Sequence, residues 1–154
     1  MPRDNLLKGR VSMPGYAYHI TSHHITTCTE DRQPLFKDFQ NGRLLINEMR
    51  QLNDDKLVNS LAWVIMPDHL HWLFQLNEPL NLSELVKRLK ARSSLAINAR
   101  IGRHGPIWQR GFHDHAIRDD ESLRTVARYI IANPLRADIV KNIGHYPLWD
   151  AIWL

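Results

Sequence analysis

Two imidazoles separated by one residue, His69 and His71 in the run His69-Leu70-His71, are the first chemistry-bearing feature of this 154-residue sequence. Residues i and i+2 of a strand point to one face. If this run opens a strand, both rings converge above the sheet in a geometry that suits a divalent metal ion. Leu70, Trp72 and Phe74 would then face the core. Two surface histidines on a half-buried strand are the alternative reading. Asp68 is either a carboxylate steering one imidazole or an ordinary turn residue. A second pair, His113-Asp114-His115, is a lesser metal candidate. Tyr129 and Asn133 stand one helical turn apart, so phenol and amide project from the same side. Tyr129 is either a boundary residue with a wet hydroxyl or a nucleophile. A phenol with a pKa near 10 attacks poorly at neutral pH, so the second role needs a metal beside the electrophile.

Basic charge gathers between Leu82 and Arg118: eight Lys and Arg against Glu84 and Asp114 give a local net charge of +6, more than the +4 of the whole chain. Lys87, Arg88, Lys90 and Arg92 form its densest part, with Arg110 further on, and phosphate contact is the expected role. Trp108, Phe112 and either Tyr16 or Tyr18 are candidates for stacking on unpaired bases, or else core. Nine histidines are present, and His19, His23, His24, His104 and His145 show no partner pattern.

The elements that must position these residues follow from periodicity. Residues 1–15 read as an irregular basic arm and Tyr16 to Ser22 as a first strand. Pro34 to Leu52 carries apolar residues at helical spacing and closes at Asn53-Asp54-Asp55. Leu57 to Met66 and His71 to Leu76 are β-rich runs joined by Pro67-Asp68, an antiparallel pair. Asn81 and Glu84 form a capping box for a helix over 82–101, stopped by Gly102. Ile107 to Arg118 reads as a strand. Asp119-Asp120-Glu121 opens a third helix with Leu123, Val126, Ala127, Ile130 and Ile131 as its buried stripe. Pro134 kinks it near Asn133, and helix resumes over Leu135 to Val140. This order suits one α+β domain over residues 1–154, an antiparallel sheet with helices packed on one face.

Composition sets outer limits. With 44% hydrophobic residues the chain can bury a core, and a single cysteine, Cys28, excludes an intrachain disulfide or a multi-thiolate zinc site. No apolar run reaches the roughly 20 residues of a membrane span, and the N-terminus lacks a secretory signal, so a reducing cytoplasmic setting is expected.

Four blocks taken together resemble the single-tyrosine HUH transposases, most closely the bacterial REP-associated branch: PGYAYHIT (14–21), VIMPDHLHWLF (64–74), IWQRGFHDHAIRD (107–119) and RYIIANPLRADIV (128–140). The resemblance implies a ferredoxin-like sheet, His69 and His71 as metal ligands with Asn133 completing the site, and Tyr129 as nucleophile. It gives His113, Asp114 and His115 no defined catalytic role, so they stay accessory candidates. The implied reaction is cleavage of single-stranded DNA through a covalent 5′-phosphotyrosine, followed by rejoining without ATP; no GxxxxGK loop is present. The implied cofactor is Mg²⁺ or Mn²⁺. The implied partner is a hairpin of a repetitive extragenic palindrome near the bacterial nucleoid, bound by a monomer or homodimer. A water-using metal nuclease and a non-catalytic nucleic-acid-binding regulator remain the alternatives.

Overall fold

The structure, a computed structural model, describes residues 21–152. The basic arm, Tyr16, Tyr18, His19 and all but the end of the expected first strand lie outside those residues. The element order is β1 (Ser22–Cys28), α1 (Phe39–Asp54), β2 (Val58–Met66), β3 (His69–Leu76), α2 (Leu82–Ile101), β4 (His113–Ile117), α3 (Asp120–Ile131), α4 (Asn133–Arg136) and β5 (Trp149–Ala151). Five antiparallel strands lie in the order β4-β1-β3-β2-β5. The first four strands and two helices reproduce a split βαβ arrangement of ferredoxin type, with β5 added at the β2 edge.

Several boundaries differ from the sequence expectation, each for a local reason. The strand β1 is SHHITTC, whose β-branched Ile25, Thr26 and Thr27 suit a pleated surface. Its two histidines had masked that signal. The helix α1 begins at Phe39 rather than near Pro34, because the Asp38 side chain caps it by accepting from the Gln40 N–H at 3.0 Å. Leu35–Lys37 ahead of it is a separate 3₁₀ turn. The expected strand over 107–118 shortens to His113–Ile117, since after an isolated bridge between Trp108 and Thr29 the chain turns at Gly111, whose φ is 75°. Helix does not resume over Leu135 to Val140: α4 ends at Arg136 and Asp138 adopts a φ of 59°. The three-residue β5, following Pro147, is too short to carry a periodic signal.

Other expectations hold closely. The helix α2 spans Leu82–Ile101 with the Asn81/Glu84 capping box formed and Gly102 at φ 67° behind it. Pro67-Asp68 makes the two-residue connection between β2 and β3, whose register pairs Met66 with His69 and Val64 with His71. That register sorts the side chains. Leu70, Trp72 and Phe74 point to one face and are fully buried. There α1 covers the sheet: the Ser60 N–H donates to Asn53 Oδ1, and a cleft lined by Ile46, Met49 and Trp63 marks the seam. Trp72 donates its indole N–H to Ser60 Oγ at 2.9 Å, so its polar atom is satisfied inside the core. α2 packs beside α1 through Arg92–Glu48 and Arg100–Asp38 pairs. The expectation of helices on one face thus describes α1 and α2. The opposite face, carrying His69, His71 and Leu73, is crossed by α3, which buries Leu123, Ala127 and Ile130.

Candidate active site

The face under α3 collects the histidines. Cross-strand pairing sets Cys28 beside His69, Thr26 beside His71 and Leu73 beside His24. On the other side of β1, His113 pairs with Thr26 and His115 with His24. Residues opposite one another share a face, so five imidazoles from three strands line this surface.

The two central rings are held from behind. The His69 Nδ1 lies 2.7 Å from Asp68 Oδ1, while the Arg32 guanidinium donates to the other oxygen of Asp68 at 2.9 Å. Burial pushes the Asp68 carboxyl up, but its hydrogen bonds to His69 and Arg32 outweigh that and hold it below the usual range. The His71 Nδ1 lies 3.0 Å from His24 Nε2 and 3.1 Å from Thr26 Oγ1. Burial, then the neighbouring His69, His24 and Arg136, lower the His71 pKa to about 3. Burial and His115 lower that of His24 to about 4, against the opposing pull of Asp114. Both rings are therefore neutral at physiological pH, the form that offers a lone pair. With the Nδ1 atoms engaged, each Nε2 of His69 and His71 is the nitrogen left for an outside ligand; the ring centroids are 5.0 Å apart.

Tyr129 meets this pair from above. Its ring stands edge-on to His71 with centroids 6.5 Å apart, and the residue is 52% exposed, so a long substrate can reach it. The boundary position read from the helical stripe and the approach to the imidazoles are both real. Asn133 follows at the kink. Pro134 has no N–H to give the Ile130 carbonyl four residues back, and the Asn133 Nδ2 donates there instead at 3.0 Å, with a longer 3.3 Å contact to the Tyr129 carbonyl. Its Oδ1 is thereby left as the available acceptor among the described residues. The donor set of two imidazoles and an amide oxygen fits a divalent cation. Among the described residues no three His, Cys, Asp or Glu side chains are placed to share a metal.

A family model described as "Transposase IS200 like" matches residues 17–133. The chain belongs to the IS200-like transposase family. Among its relatives is a putative REP-associated tyrosine transposase of Haemophilus influenzae, 32% identical over an alignment of 116 residues, with 66% of each chain covered. Another is a REP-associated tyrosine transposase of Escherichia coli K12, 27% identical over 106 residues, 68% of this chain and 61% of that one. The chain thus spans somewhat less than two thirds of the length of these curated relatives. Two solved structures share the fold. One is a REP-associated tyrosine transposase bound to a REP hairpin, with TM-score 0.69 and 24% identity, covering 83% of this chain and 74% of that one. The other is a putative transposase from Deinococcus radiodurans, with TM-score 0.56 and 18% identity, covering 77% and 93%.

In this IS200-like chain the remaining site candidates are spread more widely than their sequence spacing suggests. The basic cluster on α2 splits by helical geometry. Arg88 and Arg92 turn toward α1 and its Glu48, Gln51 and Asp55, with Arg92 Nε 2.9 Å from Glu48. Lys87 and Lys90 turn the other way, into a cleft of about 460 Å³ that Arg110 and Phe112 also line. The Lys90 ammonium, its pKa lowered by burial, is committed to the carbonyls of Gln109 at 2.9 Å and Gly111 at 2.5 Å. It anchors the loop before β4. Trp108 is buried and donates to Ser93 Oγ at 2.9 Å, which resolves its two readings in favour of core. Asp114 points to the face opposite His113 and His115, where it meets His23 Nδ1 at 3.0 Å and ties β4 to β1. His24 and Thr26 are the site residues that sequence reasoning passed over; alternation along SHHITTC was the signal that could have found them.

Proposed function

We propose that this chain cleaves and rejoins single-stranded DNA at hairpins of repetitive extragenic palindromes, with Tyr129 as nucleophile and a covalent 5′-phosphotyrosine as intermediate. The observation that carries the reading is the approach of the Tyr129 ring to His71 while both HUH imidazoles are oriented from behind by Asp68, His24 and Thr26. The hairpin as partner is carried over from the relatives, two of which are named REP-associated tyrosine transposases and one of which is bound to a REP hairpin.

In this mechanism the Tyr129 Oη attacks a backbone phosphorus, the new O–P bond forms, and the bond to the 3′ oxygen breaks. The phenol gives up its proton and the departing oxygen takes one up as a 3′-hydroxyl. The phosphodiester energy is kept in the link to Tyr129, so a second 3′-hydroxyl can reverse the step without a nucleotide cofactor. His69, His71 and Asn133 would hold Mg²⁺ or Mn²⁺, which supplies charge stabilisation at the phosphate oxygens. Asp68 and His24 keep the two imidazoles in the ligand tautomer. Lys87 and Arg110, on the exposed side of the α2 cleft, hold the backbone, while Arg88 and Arg92 are turned toward α1.

The test is incubation with an end-labelled hairpin oligonucleotide and Mn²⁺, followed by denaturing electrophoresis. A protein–DNA adduct that maps to Tyr129 and disappears in Tyr129→Phe is expected. Free hydrolysed product from Tyr129→Phe at the wild-type rate identifies a water-using nuclease instead. His69→Ala with His71→Ala should stop cutting and leave hairpin binding within a few-fold of wild type; an unmodified wild type that binds but never cuts identifies a regulator.

A further inference from the structure

Three other arginines end on carboxylates: Arg32 on Asp68, Arg92 on Glu48 and Arg100 on Asp38. Arg136 does not. Among the described residues no ion pair includes it, yet its guanidinium carbon lies 3.9 Å from the centroid of the Tyr129 ring. Arg136 closes the short helix α4 just beyond the end of α3, and its long side chain reaches back over the Tyr129 ring of α3.

Stacking uses the flat face of a guanidinium. Its N–H donors lie in the plane and stay available at the ring's edge, where the phenol oxygen is. A phosphorus ready for attack sits about 3–3.5 Å from that oxygen. A cation parked on the nucleophile, and without a carboxylate partner among the described residues, is arranged for an anion that arrives with the substrate.

Resting on the function proposed above, we propose that Arg136 is a phosphate-binding residue of this site: stacked on Tyr129, it donates N–H groups to a non-bridging oxygen of the phosphate under attack. As the Tyr129 Oη–P bond forms and the P–O3′ bond breaks, negative charge concentrates on the non-bridging oxygens, and the guanidinium offsets it. The same interaction fixes the ring against the incoming strand. A surface arginine merely resting on an aromatic ring would do neither.

The experiment is single-turnover adduct formation by wild type, Arg136→Gln and Arg136→Lys on two hairpins, one with an ordinary scissile phosphate and one with a neutral methylphosphonate there. On the phosphate, Arg136→Gln is expected to lose roughly 100-fold or more in maximal rate, in the range of a lost oxyanion donor, and Arg136→Lys to fall between. On the methylphosphonate, which has no such charge to neutralise, Arg136→Gln should come within a few-fold of wild type. An unchanged rate on the phosphate, or an equal deficit on both hairpins, overturns the proposal, the second outcome marking a structural role. Thermal melting guards against misfolding, and Arg136→Lys carries the comparison if the glutamine variant melts early. A wild type that forms no adduct on the ordinary hairpin overturns the transposase reading itself, and this inference with it, so the two failures are distinguishable.

Discussion

At the scale of single residues, the imidazole behind the imidazole is the feature to probe. The His24 Nε2 lies 3.0 Å from the His71 Nδ1 on a ring whose pKa burial holds down, and outer partners of this kind set ligand orientation and basicity. His24→Ala should weaken Mn²⁺ binding by about 10-fold or more in calorimetry, as is usual when such a partner is removed. His23→Ala, one residue away on the opposite face, should leave it unchanged; equal losses from both would assign the effect to general damage to β1. The same burial predicts acid sensitivity. The folded pKa values of about 4 for His24 and about 3 for His71 lie below the unfolded value of about 6.5. Below pH 6.5 the unfolded chain therefore binds more protons than the folded one, and stability falls with pH through the window from 6.5 down to 4 and 3, and is unaffected by these groups above it. Melting temperatures of metal-free protein should drop across that window, with a shallower slope in His24→Gln.

At the scale of elements, the break between α3 and α4 decides where Asn133 points. Pro134 removes one helical N–H, and the Asn133 amide takes its place on the Ile130 carbonyl. Pro134→Ala restores the N–H and makes that side-chain bond redundant. Stability should change little, since Pro134 sits in the first turn of α4, where proline is tolerated. Mn²⁺ affinity should fall all the same, a combination that ordinary destabilisation does not produce. Lys90 acts in a similar way for the loop before β4. Lys90→Met removes the donor from one half-buried and one exposed carbonyl and should cost about 1 kcal/mol in urea unfolding.

At the scale of the whole molecule, a modest net charge of +4 hides an uneven distribution. Eight cations lie between 82 and 118, but Arg92 and Arg100 are spent on carboxylates of α1 and its cap, and Lys90 on carbonyls. Hairpin affinity should therefore depend on Lys87 and Arg110, which line one cleft. Lys87→Gln with Arg110→Gln should weaken binding and lower the slope of log K against log salt by about 1–2, at about 0.7 for each single-strand phosphate no longer neutralised. Arg92→Gln should leave the slope as it is. No helix among the described residues is long and apolar enough to cross a membrane.

The sequence alone determined the elements whose signals are local. Alternation and a two-residue turn located the β2–β3 hairpin and set both imidazoles on one face; the capping box and Gly102 bounded α2. Such features depend on neighbours within a few positions and need no knowledge of the rest. What tertiary structure decided was every pairing across long stretches of chain: His24 behind His71 from 47 positions away, Asp114 turned to His23 across 91, Lys90 drawn onto the loop at Gly111. A histidine or a lysine reads the same in one dimension whether it faces solvent, metal or a carbonyl, because its role is set by which strand lies beside its own and which face that strand presents.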